Sequence, residues 1–138
     1  MRAGPGDFLD SNVLIYAFTD DTKAAVAQDL LKQRPIISVQ GLNEFVHVGR
    51  RKLRMDWKQV KEAVAALRRS CRTILALEDR MQEEALRIAE RYGYSIFDAC
   101  IVASALEGGS DTLWSEDMHH GMMIDGRLRI ANPFRTES

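Results

Sequence analysis

Short apolar runs alternate with longer amphipathic stretches along this chain, and that alternation limits the fold more than any other feature. Phe8-Leu9, Ile36-Ile37-Ser38, Thr73 to Leu77, Thr112-Leu113-Trp114 and Leu128 to Ala131 each have the length and residue types of a buried strand. Residues 12–18 are expected to begin helical. Lys23 to Gln33 sets Ala24, Ala27, Leu30 and Leu31 on one side until Pro35 stops it. Residues 40–52 turn Leu42, Phe45 and Val46 inward, and Trp57 to Arg69 repeats Val60, Val64 and Leu67 at i, i+4 and i+7. Asp79 to Tyr92 is a further amphipathic helix, with Gly93 as its stop. Ile96 to Glu107 is apolar on nearly every side and ends at Gly108-Gly109. Strands separated by helices pair in parallel and are covered on both faces. The expected fold is therefore α/β: one domain over residues 1–138, with a short parallel sheet of about four or five strands flanked by helices. A chain of 138 residues suits a single core, and no repeat, linker or low-complexity segment divides it.

Net charge is −1, so any affinity for nucleic acid must come from a local basic patch. Cys71 and Cys100 form no CxxC pair and no disulfide framework, which fits a reducing cytoplasm. The chain contains no run of about 18 apolar residues, so no transmembrane helix is expected. The opening MRAGPGDFLD has no apolar segment of the secretory kind.

One carboxylate interrupts the most apolar helix. In "YSIFDACIVASAL", Asp98 lies in the first turn. Three further acids sit where open α/β sheets place their ligands, beyond the carboxyl ends of strands. Asp10 follows the first strand, Glu44 lies in the helix after the second, and Asp117 follows the fourth in Ser115-Glu116-Asp117. Carboxylates gathered at one sheet edge repel, and a hard cation such as Mg²⁺ or Mn²⁺ is their natural partner. Such a metal activates water and stabilises charge on a phosphate. Each acid also has a simpler role. Asp98 completes an S-x-x-D helix cap, Asp10 can cap the helix after it, and Glu44 shares a polar stripe with Gln40, His47 and Arg51. Asp117 alone reads as a loop acid.

Four segments in order, "FLDSNVLIYA", "ISVQGLNEFVHV", "YSIFDACIVASAL" and "TLWSEDMHHGMMIDGRLRIANPF", resemble the PIN-domain family, especially its VapC-type ribonuclease toxins. The resemblance covers nearly the whole chain. It implies a PIN-like fold and divalent-metal-dependent cleavage of RNA. It places Asp10, Glu44, Asp98 and Asp117 at the catalytic acidic positions, with Asp10, Asp98 and Asp117 toward the metal. Asn12 and Ser115 match supporting polar positions. It also implies an antitoxin partner, a homodimer and a cytoplasmic setting. The chain departs from many relatives at His119, where a further acid is common, so one or two metals remain open. Glu116 stays an alternative to Asp117. His119 and His120 could ligate a softer metal, although a loop pair of this kind is more often surface.

"HVGRRKLRMDWK" concentrates Arg50, Arg51, Lys52, Arg54 and Lys58, and Arg68, Arg69 and Arg72 follow one helix later. Arg50, Arg51, Lys52 and Arg54 are the candidates for binding RNA phosphates, with little base specificity. A solvated face and a docking surface for an antitoxin segment are the alternatives. Two other functions compete with the toxin. An RNA-processing nuclease would need no antitoxin, and a non-cleaving module would bind RNA or protein only. A phosphatase using a D-x-D pair is disfavoured because Asn12 holds the second position.

Overall fold

Two residues suffice for the first strand because they sit in the middle of the sheet. The computed structural model of the chain describes residues 6–135. Residues 1–5, part of the opening in which no secretory segment is expected, and 136–138, the end of the expected domain, lie outside the described residues. The elements run β1 (Phe8–Leu9), α1 (Ser11–Tyr16), α2 (Ala24–Leu31), β2 (Ile36–Ser38), α3 (Val39–Arg51), α4 (Trp57–Ser70), β3 (Thr73–Leu75), α5 (Asp79–Tyr92), α6 (Ile96–Glu107), β4 (Thr112–Trp114), β5 (Met123–Ile124) and β6 (Leu128–Ala131). The sheet order is β3-β2-β1-β4-β6-β5. Pairing is parallel from β3 to β6, and β5 joins β6 antiparallel.

Strand alternation splits the core into two. Phe8, Ile36, Leu113 and Ile130 pack with α5 and α6 on one face. Their neighbours Leu9, Ile37, Trp114 and Ala131 pack with α1, α2, α3 and α4 on the other. This is a sheet covered on both faces, as the alternating sequence implies. Helix α6 is buried from Ala99 through Leu106, which explains its almost unbroken apolar composition.

The sheet has six strands rather than four or five. The additional strand, β5, is only Met123-Ile124, and Met123 is exposed. It returns to β6 through Asp125-Gly126, both with positive φ (53° and 66°), and Arg127 N donates to Ile124 O at 2.9 Å. Asp-Gly between apolar residues is a hairpin signal, and it was the available clue. Cys71 and Cys100 are free and buried. Among the described residues, no helix is long and apolar enough to cross a membrane.

Candidate active site

The chain builds β2 and β3 on one side of β1 and then returns to place β4 on the other. Such a reversal opens a crevice at the carboxyl ends of β1 and β4. Asp10 leaves β1 at this point, and its N–H donates to Trp114 O at 3.0 Å. Its carboxylate caps α1, with Oδ1 accepting from Ser11 N at 2.7 Å. Ser115, the first residue after β4 and fully buried, donates from Oγ to Asp10 Oδ2 at 2.8 Å. Capping α1 therefore occupies one oxygen of Asp10, while the other meets Ser115.

Asn12 ties the two strand ends together. Its Nδ2 shares donors among Asp10 Oδ2 at 3.3 Å, Ser115 Oγ at 3.3 Å and Asp117 Oδ2 at 3.2 Å. Its Oδ1 accepts from Glu116 N at 3.1 Å. Ser115 Oγ also accepts from Asp117 N at 3.3 Å. Asn12 and Ser115 thus hydrogen-bond to Asp10 and Asp117 and to each other.

Glu44 enters from α3. Its Oε2 accepts from Ser11 Oγ at 2.7 Å and its Oε1 from Gln40 Nε2 at 3.3 Å. Ser11 is a site residue that sequence reasoning missed; its position directly after Asp10 was the only signal. Gln40 also reaches toward Phe97 O at 3.5 Å, beside Asp98.

The helix cap at Asp98 is made by its backbone. Ser95 Oγ accepts from Asp98 N at 3.1 Å. Among the described residues, no group donates a hydrogen bond to the Asp98 carboxylate. The apolar helix carries that carboxylate to within reach of the charges of Asp10, Glu44 and Asp117.

The acids feel one another. Asp10 is pushed up to about 6, chiefly by burial, against the hydrogen bonds from Ser115 and Ser11; the charges of Glu44 and Asp98 raise it further. Asp98 is also raised, first by burial and then by Asp117 and Glu44. Among the described residues, no cation pairs with either of these two acids. Lys23 pairs instead with Glu116, which also accepts from Tyr16 OH at 2.9 Å. Glu116 is therefore turned to a neighbouring cluster, while Asp117 meets Asn12. An all-carboxylate oxygen set with uncompensated charge suits a hard divalent cation. Among the described residues, no three His, Cys, Asp or Glu side chains stand close enough together to hold a metal ion. His120 Nδ1 accepts from Asn132 N at 2.9 Å, a structural bond, and His119 is exposed.

A cavity of about 940 Å³ adjoins the acids. Glu44, Asn12 and Asp117 share it with an apolar wall that includes Ile15, Val48, Leu53, Leu77, Ile96 and Phe97.

The family model for the PIN domain matches residues 8–120. The chain belongs to the PIN domain family. Solved PIN structures share its architecture. One is a toxin–antitoxin complex from Klebsiella pneumoniae, with 21% identity over 95% of this chain and 100% of that chain, and a TM-score of 0.73. Another is VapC20 of Mycobacterium tuberculosis, a sarcin–ricin-loop-cleaving toxin, with 20% identity over 81% of this chain and 92% of that one, and a TM-score of 0.65. A third is VapBC2 from Rickettsia felis bound to a promoter DNA fragment, with 19% identity, 91% and 96% coverage, and a TM-score of 0.64. At these identities the likeness concerns the fold. No curated protein matches the sequence significantly.

Proposed function

We propose that this PIN domain is a divalent-metal-dependent endoribonuclease and the toxin of a type II toxin–antitoxin pair. The observation that carries the proposal is that Asp10, Glu44, Asp98 and Asp117 lie near enough to feel one another's charge at the sheet's reversal point, where burial first and then that charge raises Asp10 and Asp98. Asp10, Asp98 and Asp117 would hold Mg²⁺ or Mn²⁺. When bound, the metal supplies an activated water and positive charge beside the scissile phosphodiester. Ser115 and Asn12 orient Asp10 and Asp117, while Ser11 and Gln40 hold Glu44 at the cavity edge. Buried Asp10 and half-buried Asp98 keep the charge in a setting where water screens it poorly. Arg50, Arg51, Lys52 and Arg54 at the end of α3 bind the RNA phosphates.

The partner rests on two supports. The neighbour from Klebsiella is part of a toxin–antitoxin complex. Here, the apolar wall of the cavity offers an antitoxin segment a groove next to the acids. A homodimer in the cytoplasm completes the proposal. A small antitoxin reading frame directly upstream separates it from an RNA-processing nuclease.

The test incubates antitoxin-free protein and its Asp98→Asn variant with total RNA, in Mg²⁺ or Mn²⁺ and in EDTA. Discrete cleavage that needs metal and is lost in the variant is expected. Cleavage that survives both EDTA and the substitution counts against the proposal. Thermal melting supplies a second readout: Mg²⁺ should raise the melting temperature of the parent more than that of Asp98→Asn.

A further inference from the structure

The corner between α3 and α4 carries an exposed tryptophan that neither core explains. Trp57 is 57% exposed, whereas the other tryptophan, Trp114, is 7% exposed. The Arg50 guanidinium lies 4.4 Å from the Trp57 ring centroid and donates from Nη1 to Met55 O at 3.0 Å. With Arg50 over the ring, more than half of Trp57 still meets solvent.

The corner is firmly built. Lys52 N and Leu53 N both donate to Val48 O, at 2.8 and 3.3 Å, and Met55 N donates to Gly49 O at 3.0 Å. Gly49 makes room for this turn, since a Cβ there would lie 3.3 Å from Met55 Sδ. Arg54 takes φ +55° to close it. Asp56 and Gln59 then form a reciprocal cap that starts α4 at Trp57.

The same corner of the chain carries Arg50, Arg51, Lys52, Arg54 and Lys58. None is in an ion pair among the described residues, whereas Arg80 and Arg87 on α5 each hold two carboxylates. Lys52 and Leu53 also line the cavity that contains Glu44 and Asp117, so the corner opens onto the acidic site.

We propose that Trp57 is a stacking platform for an unpaired base of the substrate RNA, with the surrounding cations holding the flanking phosphates. The proposal rests on the ribonuclease reading and adds to it a base contact at the α3–α4 corner. An aromatic face takes any base that is not already stacked in a duplex, and Arg50 on the far side adds attraction. Cations without carboxylate partners are free to meet phosphates. An apolar peptide is a poorer fit, because covering five cations that have no carboxylate partner costs desolvation.

Trp57 fluorescence gives the direct test. The full chain, kept in EDTA so that RNA is not cut, is titrated with a short single-stranded oligoribonucleotide and with a duplex of equal length. The single strand should quench the parent and leave Trp57→Phe, which reports Trp114 alone, unchanged. Trp57→Ala should bind the single strand about tenfold more weakly with unaltered duplex binding, and Trp57→Phe should retain most of the affinity. Equal RNA affinity in Trp57→Ala, with no quenching of the parent, would overturn the platform and leave the ribonuclease reading standing. Quenching by an acidic peptide but not by RNA would likewise overturn it, assigning the corner to protein binding. Failure of the parent to bind any RNA would overturn both.

Discussion

Asp10 shows how a single residue joins stability to function. Its folded value of about 6 stands above the ordinary 3.8, with burial as the leading cause. Between those values the folded chain keeps a proton that the unfolded chain has released. Without metal, stability therefore falls as pH rises from about 4 to about 6 and stays lower above that. The shift corresponds to about 3 kcal/mol of destabilisation at neutral pH. Asp10→Asn should accordingly raise metal-free stability at pH 7.5 by about 1–3 kcal/mol, with the gain vanishing near pH 4; denaturant melts at both pH values check this. Adding Mg²⁺ should stabilise the parent and not the variant. The same titration implies that metal binding weakens as pH falls through about 6, because protons and metal compete for the carboxylate. Asp10 and Asp117 were legible in the sequence as acids just beyond strands, and Glu44 and Asp98 as acids on helices next to them. The choice between the neighbours Glu116 and Asp117 was not, since it depends on Tyr16 and Lys23 turning one of them aside.

At the scale of elements, helix caps decide where the acids point. Ser95 caps α6 and sets the first turn that carries Asp98. Ser95→Ala should lower stability by about 1 kcal/mol in denaturant melts. It should also weaken Mg²⁺ binding by calorimetry, although the Asp98 carboxylate itself is kept. A fall in stability with unchanged Mg²⁺ affinity would show that the cap supports the helix without tuning the site. The helices were readable because their periodicity is strong and their stops are Pro35, Gly93 and Gly108-Gly109. Strand β5 was not legible, because two residues with one exposed carry no periodicity. Its support is largely tertiary: Arg87 pairs with Asp125, and Tyr92 OH donates to Asp125 Oδ1 at 3.0 Å.

The whole molecule is nearly neutral, so its affinity for RNA depends on how charge is distributed. Lys52 at the α3–α4 corner and Glu44 and Asp117 at the sheet's reversal point line one cavity. RNA binding should therefore weaken steeply with salt. Replacing Arg51 and Lys52 with Glu should reduce the slope of log K against log salt by about 0.7 for each phosphate that is no longer neutralised. Filter binding across a salt series measures it. An unchanged slope would return these residues to a solvated face.

The layered α/β architecture and the identities of the candidate acids follow from local sequence. Apolar runs too short to stand alone, spaced by helices, have few ways to bury themselves except as a parallel sheet covered on both sides. An acid at the end of such a strand points to a site before its neighbours in space are known. Tertiary structure decided the remainder. Asp10 and Ser115 are 105 residues apart and meet only because β1 and β4 pair. Ser11 reaches Glu44 only because α1 and α3 pack together. Trp57 became informative only when α3 and α4 folded into a corner that left its ring in solvent. The physical reason is the same in each case: helix and strand propensity act over a few residues, whereas charge repulsion, burial and shared hydrogen bonds act between groups that the folded chain has brought together.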